Sequence, residues 1–127
     1  MVEEALVSAD IDAAGRLVTF LDEEKMPLRS ALWLYDGDAG RWRFVIAFRE
    51  DRKDITSFYL DMAKAINRSK RKDLLDLARV DVVDPNRSVV SALRGAINIE
   101  GNARVRFSQN RINGVYLEDA LIYRLSA

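Results

Sequence analysis

The chain has 127 residues, of which 49% are hydrophobic and 31% charged, a composition typical of a single folded domain, residues 1–127. It contains no cysteine and no histidine, which excludes disulfides, thiol nucleophiles, metal centres built from these ligands and imidazole catalysis. Its 20 basic and 20 acidic side chains balance, so the net charge does not by itself favour nucleic acid or anionic lipid.

Hydrophobic periodicity predicts eight elements in the order α-β-β-α-β-α-β-β. They are a helix at about Ala9–Lys25 capped by Ser8, strands Leu28–Tyr35 and Arg41–Arg49, a helix at Ile55–Asn67 capped by Asp54, a strand at Leu77–Val83, a helix that starts at Asp84 and Pro85, and two strands joined by Asn113 and Gly114, the second ending near Leu125. We therefore predict an α+β fold, a five-stranded mixed sheet packed with three helices, in which both helical crossovers join parallel neighbours.

The register of the first predicted hairpin decides which side chains share a face of the sheet. If the turn at residues 36–40 places Tyr35 opposite Arg41, then Trp33 lies opposite Arg43. Both aromatic side chains would then point away from the core, each beside an arginine, in cation–π pairs.

The strand positions that point away from the predicted core define a predicted arginine face. This face holds eight arginines and one aspartate, and it is open if all three helices cover the other side of the sheet. The arginines are Arg29, Arg41, Arg43, Arg49, Arg79, Arg104, Arg106 and Arg124.

Arginine and large aromatic side chains dominate the energetics of protein interfaces. Our first interpretation is a non-enzymatic binding or accessory module that uses this face to meet an acidic protein surface or a second copy of itself. The residues predicted to contact the partner are Trp33, Tyr35, Arg41, Arg43, Arg104, Arg106 and Arg124.

The distribution of charge along the chain leaves a structural alternative open. Residues 1–40 contain nine acidic and three basic side chains, whereas residues 41–80 contain eleven basic and six acidic ones. The acidic first helix could therefore lie over the predicted arginine face and neutralise it, with Trp33 in a second small core.

Two other functions remain open at this point. The same face could bind nucleic acid together with a basic segment formed by Arg68, Lys70, Arg71 and Lys72. A carboxylate–metal hydrolase is a remote alternative, based on the acids and bases at 50–53 after a strand and on Asp36 and Asp38 in a loop. Neither spacing matches a metal-binding motif, so we predict no metal, no cofactor and no catalytic residue.

The opening helix and the segments Ala31–Tyr35, Arg41–Ala47 and Asn113–Tyr123 resemble a group of small bacterial proteins of uncharacterised activity. The resemblance spans most of the chain, implies no activity or cofactor, and favours a cytosolic bacterial setting. No apolar run follows the acidic N-terminus as in a signal peptide, and no stretch approaches the roughly 20 apolar residues of a membrane span. We therefore expect a cytoplasmic protein with no membrane partner.

Overall fold

The computed structural model describes residues 5–49, 54–86 and 88–126. The predicted α+β class and element order are confirmed, and so is the five-stranded mixed sheet. The elements are α1 (Ser8–Glu23), β1 (Leu28–Asp36), β2 (Arg41–Phe48), α2 (Ile55–Ser69), β3 (Val80–Val82, after a 3₁₀ turn at Leu77–Arg79), α3 (Val89–Arg94), β4 (Val105–Ile112) and β5 (Val115–Leu125).

The strands lie in the order β3-β2-β1-β5-β4, with β2 and β3 parallel and the other neighbours antiparallel. The crossover through α2 joins the parallel pair β2 and β3, as predicted. The crossover through α3 instead connects the two edges of the sheet, so the prediction of a second parallel pair is wrong. This leaves the short β3 at one edge and the long β4 at the other.

Short-range sequence signals identify two boundaries correctly. Asp54 caps α2, because its carboxylate accepts a hydrogen bond of 2.7 Å from the Ser57 backbone N–H. Asn113 and Gly114 have φ angles of 48° and 82° and form a two-residue turn between β4 and β5. Both values lie in the left-handed region that a type I′ turn requires.

Two predicted helix starts are wrong. Val7, not Ser8, occupies the cap position of α1. The third helix begins at Val89 rather than at Asp84, because the Asp84 carboxylate accepts a 2.8 Å hydrogen bond from the Asn86 N–H and so stabilises a turn.

Helices cover both faces of the sheet. On one side, here called the α1 face, α1 and α2 pack on an aromatic core that includes Trp33, Phe44, Phe48 and Tyr123. On the other side, the α3 face, a smaller aliphatic core around Leu32, Val45 and Ile122 contacts Val90 and Leu93. The expectation that three helices share one side and leave the other open is therefore wrong.

The register of the β1–β2 hairpin differs from the predicted one by a single residue. Asp36, not Tyr35, faces Arg41, so Trp33 lies opposite Phe44. The cause is a shorter turn, closed by hydrogen bonds from the Gly40 N–H to the Asp36 carbonyl and from the Asp38 N–H to the Asp36 side chain. Because side chains alternate along a strand, this shift moves Trp33 from the predicted arginine face into the core.

Candidate binding surfaces

The structure divides the predicted arginine face between the two sides of the sheet. Arg43 points to the α3 face, where it forms ion pairs with Asp81 and, at 3.9 Å, with Asp36. Arg104 and Arg124 instead reach carboxylates of α1 on the opposite side. The prediction of one shared, open arginine face is therefore wrong.

The alternative in which the acidic first helix neutralises the arginine face is correct only in part, because α1 pairs with three of the eight arginines and Trp33 lies in the larger aromatic core rather than in a second small one. Three aspartates of α1 each pair with an arginine from a distant part of the chain. The pairs are Arg79–Asp10 at 2.9 Å, Arg104–Asp12 at 2.9 Å and Arg124–Asp22 at 2.6 Å.

Arg124 has a structural role and cannot serve as a contact residue. Only 9% of it is exposed, and its guanidinium also donates hydrogen bonds to the carbonyls of Gly101 (2.6 Å) and Leu28 (3.2 Å). A β-bulge, in which Ala31 pairs with Arg124 but Leu32 pairs with Ile122, directs it toward α1.

The two aromatic residues predicted to contact a partner also lie in or against the core. Trp33 is 0% exposed and packs on Phe44 with 5.1 Å between ring centroids, and the Arg79 guanidinium lies 4.9 Å from its ring. Tyr35 is half-buried and packs edge-on against Trp42 at 5.4 Å. Arg41, by contrast, is exposed; it is the first residue of β2 and directly follows the turn.

The most exposed strand of the sheet is β4. It pairs only with β5 within the described ranges, and only Phe107 and Ile112 among its eight residues are half-buried. Gln109, with φ of 46°, interrupts the extended conformation in the middle of the strand. The straight part of the outer edge is therefore Val105–Ser108.

A groove of about 640 Å³ lies beside β4 on the α1 face. At its wall, Arg106 donates two hydrogen bonds to Asp119 (2.7 and 2.6 Å), and Ser108 donates a third to the same carboxylate (2.9 Å). The hydrogen bond from Arg106 lowers the pKa of Asp119, and the same bond raises the pKa of Arg106. The groove is also lined by Ala5, Leu6, Tyr35, Trp42, Gln109, Tyr116 and Glu118.

Cation–π contacts of the predicted kind occur around this groove, with different partners. The Arg106 guanidinium lies 5.3 Å from the centroid of the Trp42 ring. The Arg111 guanidinium lies 5.8 Å from the ring of Tyr116, which is 52% exposed. Arg106 is the one residue of the predicted set that combines exposure with an aromatic contact at this surface.

The basic segment at the end of α2 is partly neutralised. Arg71 donates two hydrogen bonds to Asp73 (2.9 and 2.7 Å) and lies 5.8 Å from the Phe20 ring, and the hydrogen bond raises the pKa of Arg71. Arg68, Lys70 and Lys72 are exposed. Their binding to nucleic acid stays a prediction.

The acidic residues considered for metal binding do not assemble into a site. Asp36 stabilises the turn through its side chain, accepting from the backbone N–H groups of Asp38 (3.1 Å) and Ala39 (3.2 Å). Among residues 5–49, 54–86 and 88–126, no three acidic side chains could hold a metal ion together. Glu50, Asp51, Arg52 and Lys53 lie outside the described residues.

The sequence pattern did not identify Tyr116, Arg111 or the outer edge of β4 as a surface. The Asn113–Gly114 turn locates the two strands, but which strand lies at the edge depends on pairing between β1 and β5, far apart in sequence.

In the part of the chain that the structure describes, no helix has the length and apolar character needed to cross a bilayer. The chain matches no protein-family model and has no significant match among curated proteins or solved structures.

Proposed function

We propose that this chain is a non-catalytic binding module in which β4 adds an extended, acidic segment of a partner protein to the sheet. The observation that carries the proposal is an eight-residue edge strand that is mostly exposed and contains no acidic side chain. Addition of a strand to an exposed sheet edge is a common mode of peptide recognition, in which main-chain hydrogen bonds supply affinity.

The backbone geometry supports this mode of binding. The Ala103 N–H donates to the Tyr123 carbonyl of β5 at 2.9 Å. Because N–H groups alternate in direction along a strand, the N–H of Val105 also points toward β5, and those of Arg106 and Ser108 point away from it. Arg106 and Ser108 lie in the straight part of β4, where an incoming strand could accept from both.

The charge of the edge favours an acidic segment over a second copy of the chain. The edge carries three arginines, Arg104 directly before β4 and Arg106 and Arg111 within it. Opposite charges on paired strands stabilise a sheet, and like charges directly opposite each other destabilise it. Pairing of β4 with another β4 would bring arginines close to arginines.

The experiment is a fluorescence anisotropy titration with a labelled peptide of alternating Glu and Val. Ser108→Pro removes an outward-pointing donor, and Ser108→Ala is its matched control because it loses the same hydroxyl but keeps that donor. We expect the proline variant to bind about two- to tenfold more weakly than the alanine variant. Equal affinity of the two variants for the peptide would exclude strand addition at this edge.

A second pair of variants tests the charge of the edge. Arg111→Glu should weaken binding of the acidic peptide several-fold at low salt, and the loss should shrink as salt is added. Arg68→Glu, which makes the same charge change on α2, should leave the affinity unchanged. Equal losses for the two variants would indicate general attraction between charges and would contradict a site on β4.

Two further outcomes would favour other partners. Tighter binding of a labelled oligothymidine, lost in Lys70→Glu or Lys72→Glu, would favour nucleic acid and overturn the proposal. A dimer in analytical ultracentrifugation that dissociates in Ser108→Pro would identify the occupant of the edge as a second copy of the chain.

A further inference from the structure

Three arginines gather at the end of the sheet beside α3 and form no ion pair with a described residue. Arg29 is the second residue of β1, Arg49 directly follows β2, and Arg94 is the last residue of α3. We call these three residues the arginine cluster. Seven other arginines form ion pairs with aspartates, namely Arg16, Arg43, Arg71, Arg79, Arg104, Arg106 and Arg124.

Ser126 holds two members of the cluster together. Arg29 Nε donates to its carbonyl oxygen (3.2 Å), and Arg49 Nη2 donates to its hydroxyl oxygen (3.0 Å). Ser126 is 1% exposed and is itself fixed, since its N–H and hydroxyl donate to the Arg29 carbonyl at 3.1 and 3.0 Å. A buried serine therefore positions both guanidiniums through neutral acceptors, without supplying a negative charge.

Arg94 is the third member and the most constrained. Its Nη2 donates to the Pro85 carbonyl (2.6 Å), whereas its buried Nε has no hydrogen-bond partner. A buried donor without an acceptor is unfavourable and is unusual in folded proteins.

The electrostatics of Arg94 are opposite to those of the paired arginines. Burial lowers the pKa of Arg94, and the positive charge of nearby Arg29 lowers it further. At Arg106 and Arg71, by contrast, a hydrogen bond to an aspartate raises the pKa. Arg94 thus lies near another positive charge, whereas Arg71 and Arg106 each lie beside a carboxylate.

We propose that Arg29, Arg49 and Arg94 form a binding site for the phosphate group of a ligand. Each guanidinium carries five N–H donors in a planar fork that matches the oxygens of phosphate, and each uses few of them within the protein. A doubly charged tetrahedral group can accept from several guanidiniums at once and offset their mutual repulsion. This site does not depend on the role proposed for β4.

The test is a calorimetric titration of the intact chain with inorganic phosphate at neutral pH, with ionic strength held constant by sodium chloride. We expect saturable binding with one phosphate per chain, and acetate should bind more weakly because it carries one charge. Arg49→Gln should weaken phosphate binding roughly ten- to hundredfold, since it removes the charged hydrogen bonds of an exposed side chain. Arg29→Gln should act in the same direction.

The matched control is Lys64→Gln, which removes one positive charge from an exposed position of α2 outside the basic segment. It should leave the affinity for phosphate unchanged. Equal weakening by Arg49→Gln and Lys64→Gln would show a general effect of net charge and overturn the site. The absence of phosphate binding at tens of millimolar would also overturn it. Acetate binding as tight as phosphate would assign the cluster to a carboxylate ligand instead.

Discussion

Two groups of arginines in this protein are held in different ways. On the α1 face, Arg104 and Arg124 each meet an aspartate of α1 and connect distant parts of the chain. Beside α3, the arginine cluster rests on a serine and a backbone carbonyl and meets no carboxylate among the described residues. An arginine on a surface is therefore weak evidence for a binding site until its acidic partners are known.

The cores beneath these arginines differ as well. Trp33, Phe44 and Tyr123 fill the α1 face, where Phe44 packs against both rings at 5.1 and 5.6 Å. The α3 face has smaller aliphatic side chains and a helix of six residues. The α1 face thus contributes most of the buried aromatic surface, and the largest changes in stability are expected there.

The largest expected effect is that of Trp33→Ala. Removal of this fully buried indole should lower the free energy of unfolding by about 3–5 kcal/mol. Tyr116→Ala, at an aromatic residue that is 52% exposed, should change it by less than about 0.5 kcal/mol. Urea unfolding of both variants measures the difference. A small effect of Trp33→Ala would mean that β1 has the register first predicted, with Trp33 on the surface.

The pattern of local signals explains why the element order was predictable. Asp54, the Asn113–Gly114 turn and the alternation along β2 act within a few residues, and each of them identified its element. The start of α3 was misplaced because Asp84 can cap a helix or stabilise a turn, and the sequence does not distinguish these roles.

The candidate sites were less predictable, because they depend on contacts between distant residues. One residue of turn length moved Trp33 from one face to the other, and the pairs Arg104–Asp12 and Arg124–Asp22 join residues about a hundred positions apart. The charge difference between residues 1–40 and 41–80 indicated that such pairing was available. It did not indicate which arginines would remain without an acid.

The second prediction compares one arginine from each region. Arg124→Ala should lower the free energy of unfolding by about 2–4 kcal/mol, because it leaves Asp22 and the carbonyls of Gly101 and Leu28 without their donor. Arg94→Ala should change it by less than about 1 kcal/mol, since the loss of its hydrogen bond to the Pro85 carbonyl is offset by relief of the repulsion from Arg29 and by removal of an unpartnered Nε. Denaturant unfolding without phosphate tests both. Equal losses would show that the hydrogen bond from Arg94 to the Pro85 carbonyl outweighs the repulsion from Arg29.

The third prediction concerns Tyr123, whose hydroxyl donates a 2.6 Å hydrogen bond to the Ile11 carbonyl. Burial raises the pKa of Tyr123 from 10.0 to about 12. The unfolded chain then ionises first, so this contribution to stability is complete below pH 10 and is lost as the pH rises toward 12. The loss should amount to roughly 1–3 kcal/mol. Tyr123→Phe should be less stable at neutral pH and should show a smaller decline in alkali; an unchanged decline would contradict the assignment.

The smallest expected effect is that of Asp119→Asn, which tests whether a paired arginine at the β4 surface resembles Arg124, which is buried beside α1. The side chain of Asp119 is 26% exposed, so the loss of its pair with Arg106 should lower the free energy of unfolding by only about 0.2–1 kcal/mol at neutral pH. Because Arg106 lowers the pKa of Asp119 below 3.8, the contribution is complete above that pH and is lost as the pH falls through the lowered value.

The same variant separates the structural role of the pair from its role in recognition. The asparagine variant should therefore be less sensitive to acid than the native chain, whereas Asp38→Asn, in the exposed β1–β2 turn, should keep the native acid profile. Denaturant unfolding across the acid range measures both profiles. If Asp119→Asn lowered stability by as much as Arg124→Ala, the Arg106–Asp119 pair would be a structural support of the fold. A small loss would show that Arg106 can leave Asp119 and pair with a carboxylate of a partner strand while the fold stays nearly as stable. Binding of an acidic strand at β4 requires this exchange.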